Sequence, residues 1–328
     1  MESGKAISKK CIEYQEMMQD KRPSYHDKVK GCIVGFAIGD ALGAPREFLK
    51  NTASVKGFEP SPRKGLRPGQ WTDDTQLLEL SLNSLLVAHG NINLQDHADR
   101  LVAWYKSGEA RSMGRTTGQA IQNLMNGIPY TVSGINHIHA CGSGALARLI
   151  PHTLISAISD YEYKLHASEI RSLLKITHAH KKVYNMGALV SYFIQEIANG
   201  KSPKETLDMI VFEGNFLNRA LRKKLSHVKQ LVESNEEGCA AIREIGDSGF
   251  VEDVVYSSVY GTLKGKSFEE AVLISANGSG DTDSRAALTG AFSGLEVGIQ
   301  KISEYLRNAL ERGSELERKA TRLYHLRK

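Results

Sequence analysis

The chain has 328 residues, 41% hydrophobic and 24% charged, an ordinary globular composition that excludes disordered, collagen-like and coiled-coil chains. Its 42 Lys+Arg against 37 Asp+Glu leave +5, and residues 301–328 alone hold eight Lys/Arg and four Glu. The body is thus nearly neutral, which argues against a nucleic-acid groove.

Residues 1–26 read as an N-terminal extension. They lack an apolar run of signal-peptide length, and Cys11, Ile12, Tyr14, Met17 and Met18 among charges suit a short amphipathic helix able to bind a partner. Gly31–Ala44, the most apolar stretch, is shorter than the roughly 20 residues a membrane span needs. Asp40 interrupts it and is expected to be a buried structural carboxylate hydrogen-bonded to neighbouring loops. Pro45, Pro60, Pro62 and Pro68 with Gly57, Gly65 and Gly69 make residues 45–70 a long irregular segment of the kind that serves as a binding loop or lid.

From Asp73, the leucines at 77, 78, 80, 82, 85 and 86 predict a helix capped by Thr72 or Asp73 and stopped by Gly90. Further helices are predicted over Gln95–Lys106, Thr117–Met125, Ala145–Ile158, Lys182–Ala198, Pro203–Phe212, Glu252–Leu263, Phe268–Ala276 and Ser284–Gly298. Alternating strand patterns are nearly absent, so the expected fold is all-α, with one domain over residues 27–300. Residues 301–328 read as a basic helix packed on or extending from that domain, with Arg307, Arg318, Lys319, Arg322, Arg327 and Lys328 on a solvated face. The four cysteines, Cys11, Cys32, Cys141 and Cys239, form no Cys-x-x-Cys pair. They fit reduced thiols, and with the missing signal sequence they predict a cytoplasmic protein without a membrane anchor.

Two clusters carry chemistry. Trp71-Thr72-Asp73-Asp74-Thr75 places two carboxylates and a hydroxyl at a helix start, and Gly278-Ser279-Gly280-Asp281-Thr282-Asp283-Ser284 does so again. One acid at a helix start is ordinary capping. Four Asp brought together would repel and require a cation. Oxygen ligands without His or Cys favour magnesium, with manganese as a substitute, in a number allowing two ions. Such a centre would activate water and orient a hydroxyl-rich substrate. The pairs His137/His139 and His178/His180 are two residues apart and cannot share a helix face as a metal pair would.

Gly31-Cys-Ile-Val-Gly-Phe-Ala-Ile-Gly-Asp-Ala-Leu-Gly-Ala-Pro-Arg-Glu47, Trp71-Thr-Asp-Asp-Thr75 and Gly280-Asp-Thr-Asp-Ser-Arg-Ala-Ala-Leu-Thr-Gly290 follow one another in this order. In these motifs the chain resembles the ADP-ribosylglycohydrolase family, of the dinitrogenase-reductase-activating glycohydrolase type, from about Gly31 to Gly298. The resemblance implies an all-α fold with a binuclear magnesium cleft and hydrolysis of the bond between C1″ of ADP-ribose and a modified side chain. It assigns Thr72, Asp73, Asp74, Asp281, Asp283 and Ser284 as metal ligands, Ser284 standing where many members have Thr. Glu47 matches an acid that guards the metal site or handles a proton, leaving Glu47, Asp73 and Asp74 as candidates for general acid or base.

On the substrate side, Gly142-Ser143-Gly144 and Arg148 resemble the family's loop along ADP-ribose, with Ser143 replacing the usual Asn. Gly114 and Thr116 resemble its helix start beside the substrate, and His178 its Thr-His element. Ser112 departs from the acid that some arginine-specific members carry nearby. The implied activity is removal of mono-ADP-ribose from a modified protein, arginine first, with serine, nucleic-acid and small conjugates open and no nucleotide cofactor required. The alternative is an immunity protein that blocks an ADP-ribosyltransferase toxin through its N-terminal extension, with or without hydrolysis. A third possibility, a non-catalytic crystallin-like relative, is opposed by the complete acidic sets.

Overall fold

The computed structural model describes residues 22–49, 53–157, 163–213, 218–236 and 238–326. The amphipathic stretch with Cys11, Ile12, Tyr14, Met17 and Met18 lies outside the described residues, as do Arg327 and Lys328. Helix α1 (Tyr25–Gly43) starts where Ser24 accepts the N–H of Asp27. It is followed by α2 (Asp73–Val87), α3 (Leu94–Lys106), α4 (Arg115–Met125), α5 (Leu146–Ser156), α6 (Tyr163–Lys175), α7 (Lys181–Ala198) and α8 (Pro203–Glu213). Then come α9 (Arg219–Glu233), α10 (Gly238–Ile245), α11 (Val251–Lys264), α12 (Phe268–Ala276), α13 (Thr282–Val297), α14 (Glu304–Ala309) and α15 (Gly313–His325). Among the described residues there are only isolated β-bridges, so the fold is all-helical as expected.

The centre of the molecule is a seam between α1 and α13. Gly31, Gly35, Gly39 and Gly43 recur every fourth residue and so share one face of α1. A Cβ on them would stand 2.1 Å from Gly294 O, 2.3 Å from Gly290 O, 2.0 Å from Ala286 O and 2.3 Å from Thr282 O respectively. The two helices therefore run antiparallel with their backbones in contact, a closeness that no larger side chain permits. Their far ends meet where Thr282 Oγ1 donates to Gly43 O at 2.8 Å. The seam thus brings the end of α1 against the start of α13, where Asp281, Asp283 and Ser284 lie.

The predicted helices are present with ends shifted by a few residues, and Gly90 (φ +89°) ends α2 with its N–H on Leu85 O. Helices α6, α9 and α10 were not anticipated. In α9, Asn218 caps the start and Leu221, Leu225, Val228 and Leu231 form the buried stripe, a spacing obscured by the intervening Arg and Lys.

Residues 22–26, placed with the extension on sequence grounds, enter and open α1, and Arg22 donates to Gly200 O. Helix α15 buries Leu316, Ala320 and Leu323. Lys319, expected on a solvated face, instead bonds Glu79, which Arg312 also holds at 2.6 Å; Arg318 and Arg322 are exposed. Ahead of α15, Glu311 pairs with Arg111 at 2.6 Å, accepts from Gln70 Nε2 and, through its carbonyl, from Trp71 Nε1. The C-terminal segment therefore braces the approach to Thr72.

Candidate active site

The first acidic group is set by Asp40, the fully buried carboxylate of α1. It accepts the backbone N–H groups of Thr72 and Thr75 at 3.0 Å and the Thr75 hydroxyl at 2.6 Å. This is the structural role expected of Asp40, and it fixes the first turn of α2. Thr72 caps that turn by accepting the N–H of Asp74. Burial, and then the charge of Asp283, raises Asp40 to about 6.

The second group is set by α13, where Asp281 caps the helix and accepts the N–H of Ser284. Gly280, with φ +74°, makes the tight turn before it. The two groups meet: Ser284 Oγ donates to Asp74 Oδ2 at 2.7 Å, and Ser143 Oγ lies 3.2 Å from Ser284 Oγ and 3.4 Å from Asp281 Oδ2. Carboxylate oxygens of Glu47, Asp281 and Asp283 all lie within 4.8 Å of one another.

Around them is a cleft of about 200 Å³, lined by Asp73 and Asp74 as well as Glu47, Asp281, Asp283 and Ser284. Its other wall is formed by Gly114, Thr116, Gly142, Ser143, Gly144 and His178. Of the residues expected to hold metal, only Thr72 is absent from the lining, its hydroxyl serving as the cap of α2, and on the substrate side Arg148 is absent as well. His178 is buried, contacts Thr177 Oγ1, and is pushed down to about 3 by burial and by Arg148. It is therefore neutral and able to contact a ligand without adding charge. His178 and His180 lie between α6 and α7 rather than on a helix, and His180 caps α7. Arg148, fully buried, donates to Leu173 O and Thr177 Oγ1, a structural partner of the turn that carries His178.

Several residues of this site were not singled out by sequence, among them Arg115 and Gly249 in the lining. Lys64, in the one-turn helix Pro62–Lys64 of the proline-rich segment, donates to Asp283 Oδ2 at 2.6 Å and lies 2.7 Å from Glu47 Oε2. Its side chain is 5% exposed. The only sequence signal was its place within a segment already expected to be a lid. Phe48, beside Glu47, is also in the lining.

The electrostatics are those of a crowd short of positive charge. Burial raises Asp73, Asp74 and Asp281 well above the usual carboxylate range, and their acidic neighbours raise them further, led by Asp283 for Asp73 and Asp281 and by Asp73 for Asp74. Glu47 is raised by burial and then by Asp283. Burial also opposes ionisation of Asp283, but the Lys64 charge and hydrogen bonds from Asp281 and Lys64 outweigh it and hold Asp283 below its ordinary value. Five carboxylates with one ammonium among them, and hydroxyl oxygens beside them, form a donor set that fits a hard divalent cation. A roomier groove of about 540 Å³ between α3 and α4 has only Asp99 as an acid in its lining and no comparable chemistry.

The ADP-ribosylglycohydrolase family model matches residues 21–328. The chain is 29% identical over 283 residues to the ADP-ribosylarginine hydrolase Tri1 of Pseudomonas putida, covering 83% of this chain and 71% of that one. It is 25% identical over 292 residues to the ADP-ribosyl-[dinitrogen reductase] glycohydrolase of Rhodospirillum rubrum, covering 85% and 89%. A solved structure described as an ADP-ribosylglycohydrolase-related protein complex superposes with a TM-score of 0.78 at 25% identity, covering 93% of this chain and 99% of that one.

Proposed function

The chain belongs to the ADP-ribosylglycohydrolase family, and from that premise we propose that it removes mono-ADP-ribose from arginine side chains of modified proteins, with two magnesium ions at the acidic cluster. It is a hydrolase of the glycosidic bond to ADP-ribose; the metal and the linkage are the proposed parts. The observation that carries the reading is the convergence of Glu47, Asp73, Asp74, Asp281 and Asp283 from three separate segments into one cleft. Two of those segments are joined by the Ser284–Asp74 hydrogen bond. The arginine linkage is favoured by the likeness to a relative named for that substrate.

Thr72, Asp73, Asp74, Asp281, Asp283 and Ser284 are the residues proposed to hold the metal. When bound, it supplies positive charge that keeps these acids ionised and polarises water and ribose hydroxyls. Asp73 and Asp74 then stand where they can orient a water toward C1″ and accept its proton. Glu47 comes from the end of α1 and is raised toward neutrality by burial, so it is suited to carry a proton to the departing side chain. The wall of Gly114, Thr116, Gly142, Ser143, Gly144 and His178 adds no negative charge to oppose a diphosphate, and Arg115 in the same lining adds a positive one. No helix in the described residues is long and apolar enough to cross a membrane.

The test is release of free ADP-ribose from arginine-, serine- and DNA-linked conjugates, with magnesium or chelator. Magnesium-dependent release from the arginine conjugate, lost in the double variant Asp73→Ala, Asp74→Ala, is expected. Full release in chelator, or none from any conjugate with magnesium present, would overturn the proposal.

A further inference from the structure

Phe48 is a 52% exposed aromatic residue whose backbone sits in the left-handed region, at φ +51°. A residue with a bulky side chain is strained there, and such strain persists only where the surroundings impose it. They do so here: Phe48 N–H donates to Gly280 O at 2.8 Å, and Leu49 N–H donates to Arg46 O at 2.9 Å. These bonds hold the ring at Gly249, where an added Cβ would stand 3.6 Å from Phe48 Cζ and 3.1 Å from Asp281 Oδ2. An apolar ring is thus held out, against its backbone preference, at the acidic end of the cleft.

The position of the acids decides what meets that ring. The carboxylates cluster beside the ring, Glu47 on the adjacent residue and Asp281 across Gly249, and on the hydrolase reading the bond to be cleaved lies among them. The adenine is separated from C1″ by two riboses and a diphosphate, so a ring beside the acids lies far from it. The group passing Phe48 is therefore the side chain leaving the ribose. A planar cation is attracted to the face of an aromatic ring. A serine oxygen gains nothing comparable. Resting on the hydrolase reading above, we propose that Phe48 is the recognition surface for the leaving arginine side chain and so favours arginine over serine linkages.

The test compares wild type with Phe48→Tyr, Phe48→Leu and Phe48→Gly, all saturated with magnesium. It measures kcat and KM on arginine- and serine-linked ADP-ribosyl peptides, calorimetric affinity for free ADP-ribose, and the thermal midpoint. Phe48→Tyr is expected to retain wild-type kinetics. Phe48→Leu and Phe48→Gly are expected to lose about three- to thirtyfold in kcat/KM on the arginine conjugate, mainly through KM, the range expected of a cation over an aromatic face. Their affinity for ADP-ribose and their serine-linked turnover should stay within about twofold of wild type, and Phe48→Gly should melt no lower than wild type because glycine tolerates the left-handed backbone. An equal loss on both conjugates and in ADP-ribose affinity would overturn the inference by placing the ring on the ADP-ribosyl group. Wild-type kinetics in Phe48→Leu would overturn it as well. Inactivity of the wild type on the arginine conjugate would instead remove the underlying reading, a failure visible before any variant is assayed.

Discussion

The seam between α1 and α13 and the cleft at its end are built on opposite principles. Along the seam, two backbones touch through glycines spaced every fourth residue, with no charge and no room for a methyl group. At its end, five carboxylates crowd around a single lysine. The seam owes its geometry to the absence of side chains, while the cleft holds side chains whose charges disfavour one another. The rigid region thus imposes the strained one, since Gly43 at the end of the seam is bound to Thr282, next to Asp281 and Asp283.

Breaking the seam should have the largest effect. Gly39→Val would place side-chain atoms where even a Cβ stands 2.0 Å from Ala286 O. It is expected to lose about 3 kcal/mol or more of stability, measured as a lower urea midpoint. A wild-type midpoint in that variant would refute the seam as the source of the site's geometry.

The next effect concerns the cleft. In chelator, Lys64→Met leaves Asp283 without its buried counter-charge and Glu47 with only the half-exposed Arg63 at 3.2 Å, and about 3 kcal/mol should be lost. Magnesium should restore most of this loss and bind more tightly to the variant, because no ammonium competes for the same oxygens. Weaker magnesium binding in Lys64→Met would show instead that the lysine assists the metal.

A third test contrasts the acidic cluster with a buried basic one. His97 and His152 lie 5.3 Å apart between ring centroids, and their ring nitrogens find no hydrogen-bond partner among the described residues. Burial first, and then neighbouring positive groups, push His97 well below its ordinary value and His152 to about 3. A histidine depressed in the folded state stabilises fully above its unfolded value near 6.5 and loses that contribution as pH falls toward the folded value. Between about pH 6.5 and 4, stability should therefore fall by up to about 1.4 kcal/mol per pH unit per histidine. The double variant His97→Gln, His152→Leu should flatten the slope, and an unchanged slope would assign acid sensitivity elsewhere.

The smallest effect belongs to the surface. Lys204 pairs with Asp208 at 3.3 Å but is 72% exposed, and Lys204→Ala is expected to change stability by no more than about 0.5 kcal/mol.

The all-helical fold was legible because leucine spacing and caps act within one turn, as from Thr72 to Gly90. Asp40 was also legible, since a carboxylate inside an apolar run must find donors. The two acidic clusters announced themselves by duplicating each other, although no local rule stated that Ser284 would reach Asp74. Helix α9 was overlooked because its apolar stripe is narrow and its other faces are basic. Lys64 was overlooked for a deeper reason: a lysine in a proline-rich loop carries no periodicity, and its partner Asp283 is distant in sequence. The strain at Phe48 was equally invisible, since left-handed backbone at a phenylalanine follows from hydrogen bonds to Gly280 and Arg46 rather than from residue preference.

The central claim, that the acidic cluster is a divalent-cation site, is tested most directly by calorimetric titration of chelated protein with magnesium. Saturable binding that disappears in Asp281→Ala and tightens in Lys64→Met is the result expected from this arrangement of charges. Absence of magnesium and manganese binding at millimolar concentration, by folded wild-type protein, would contradict it.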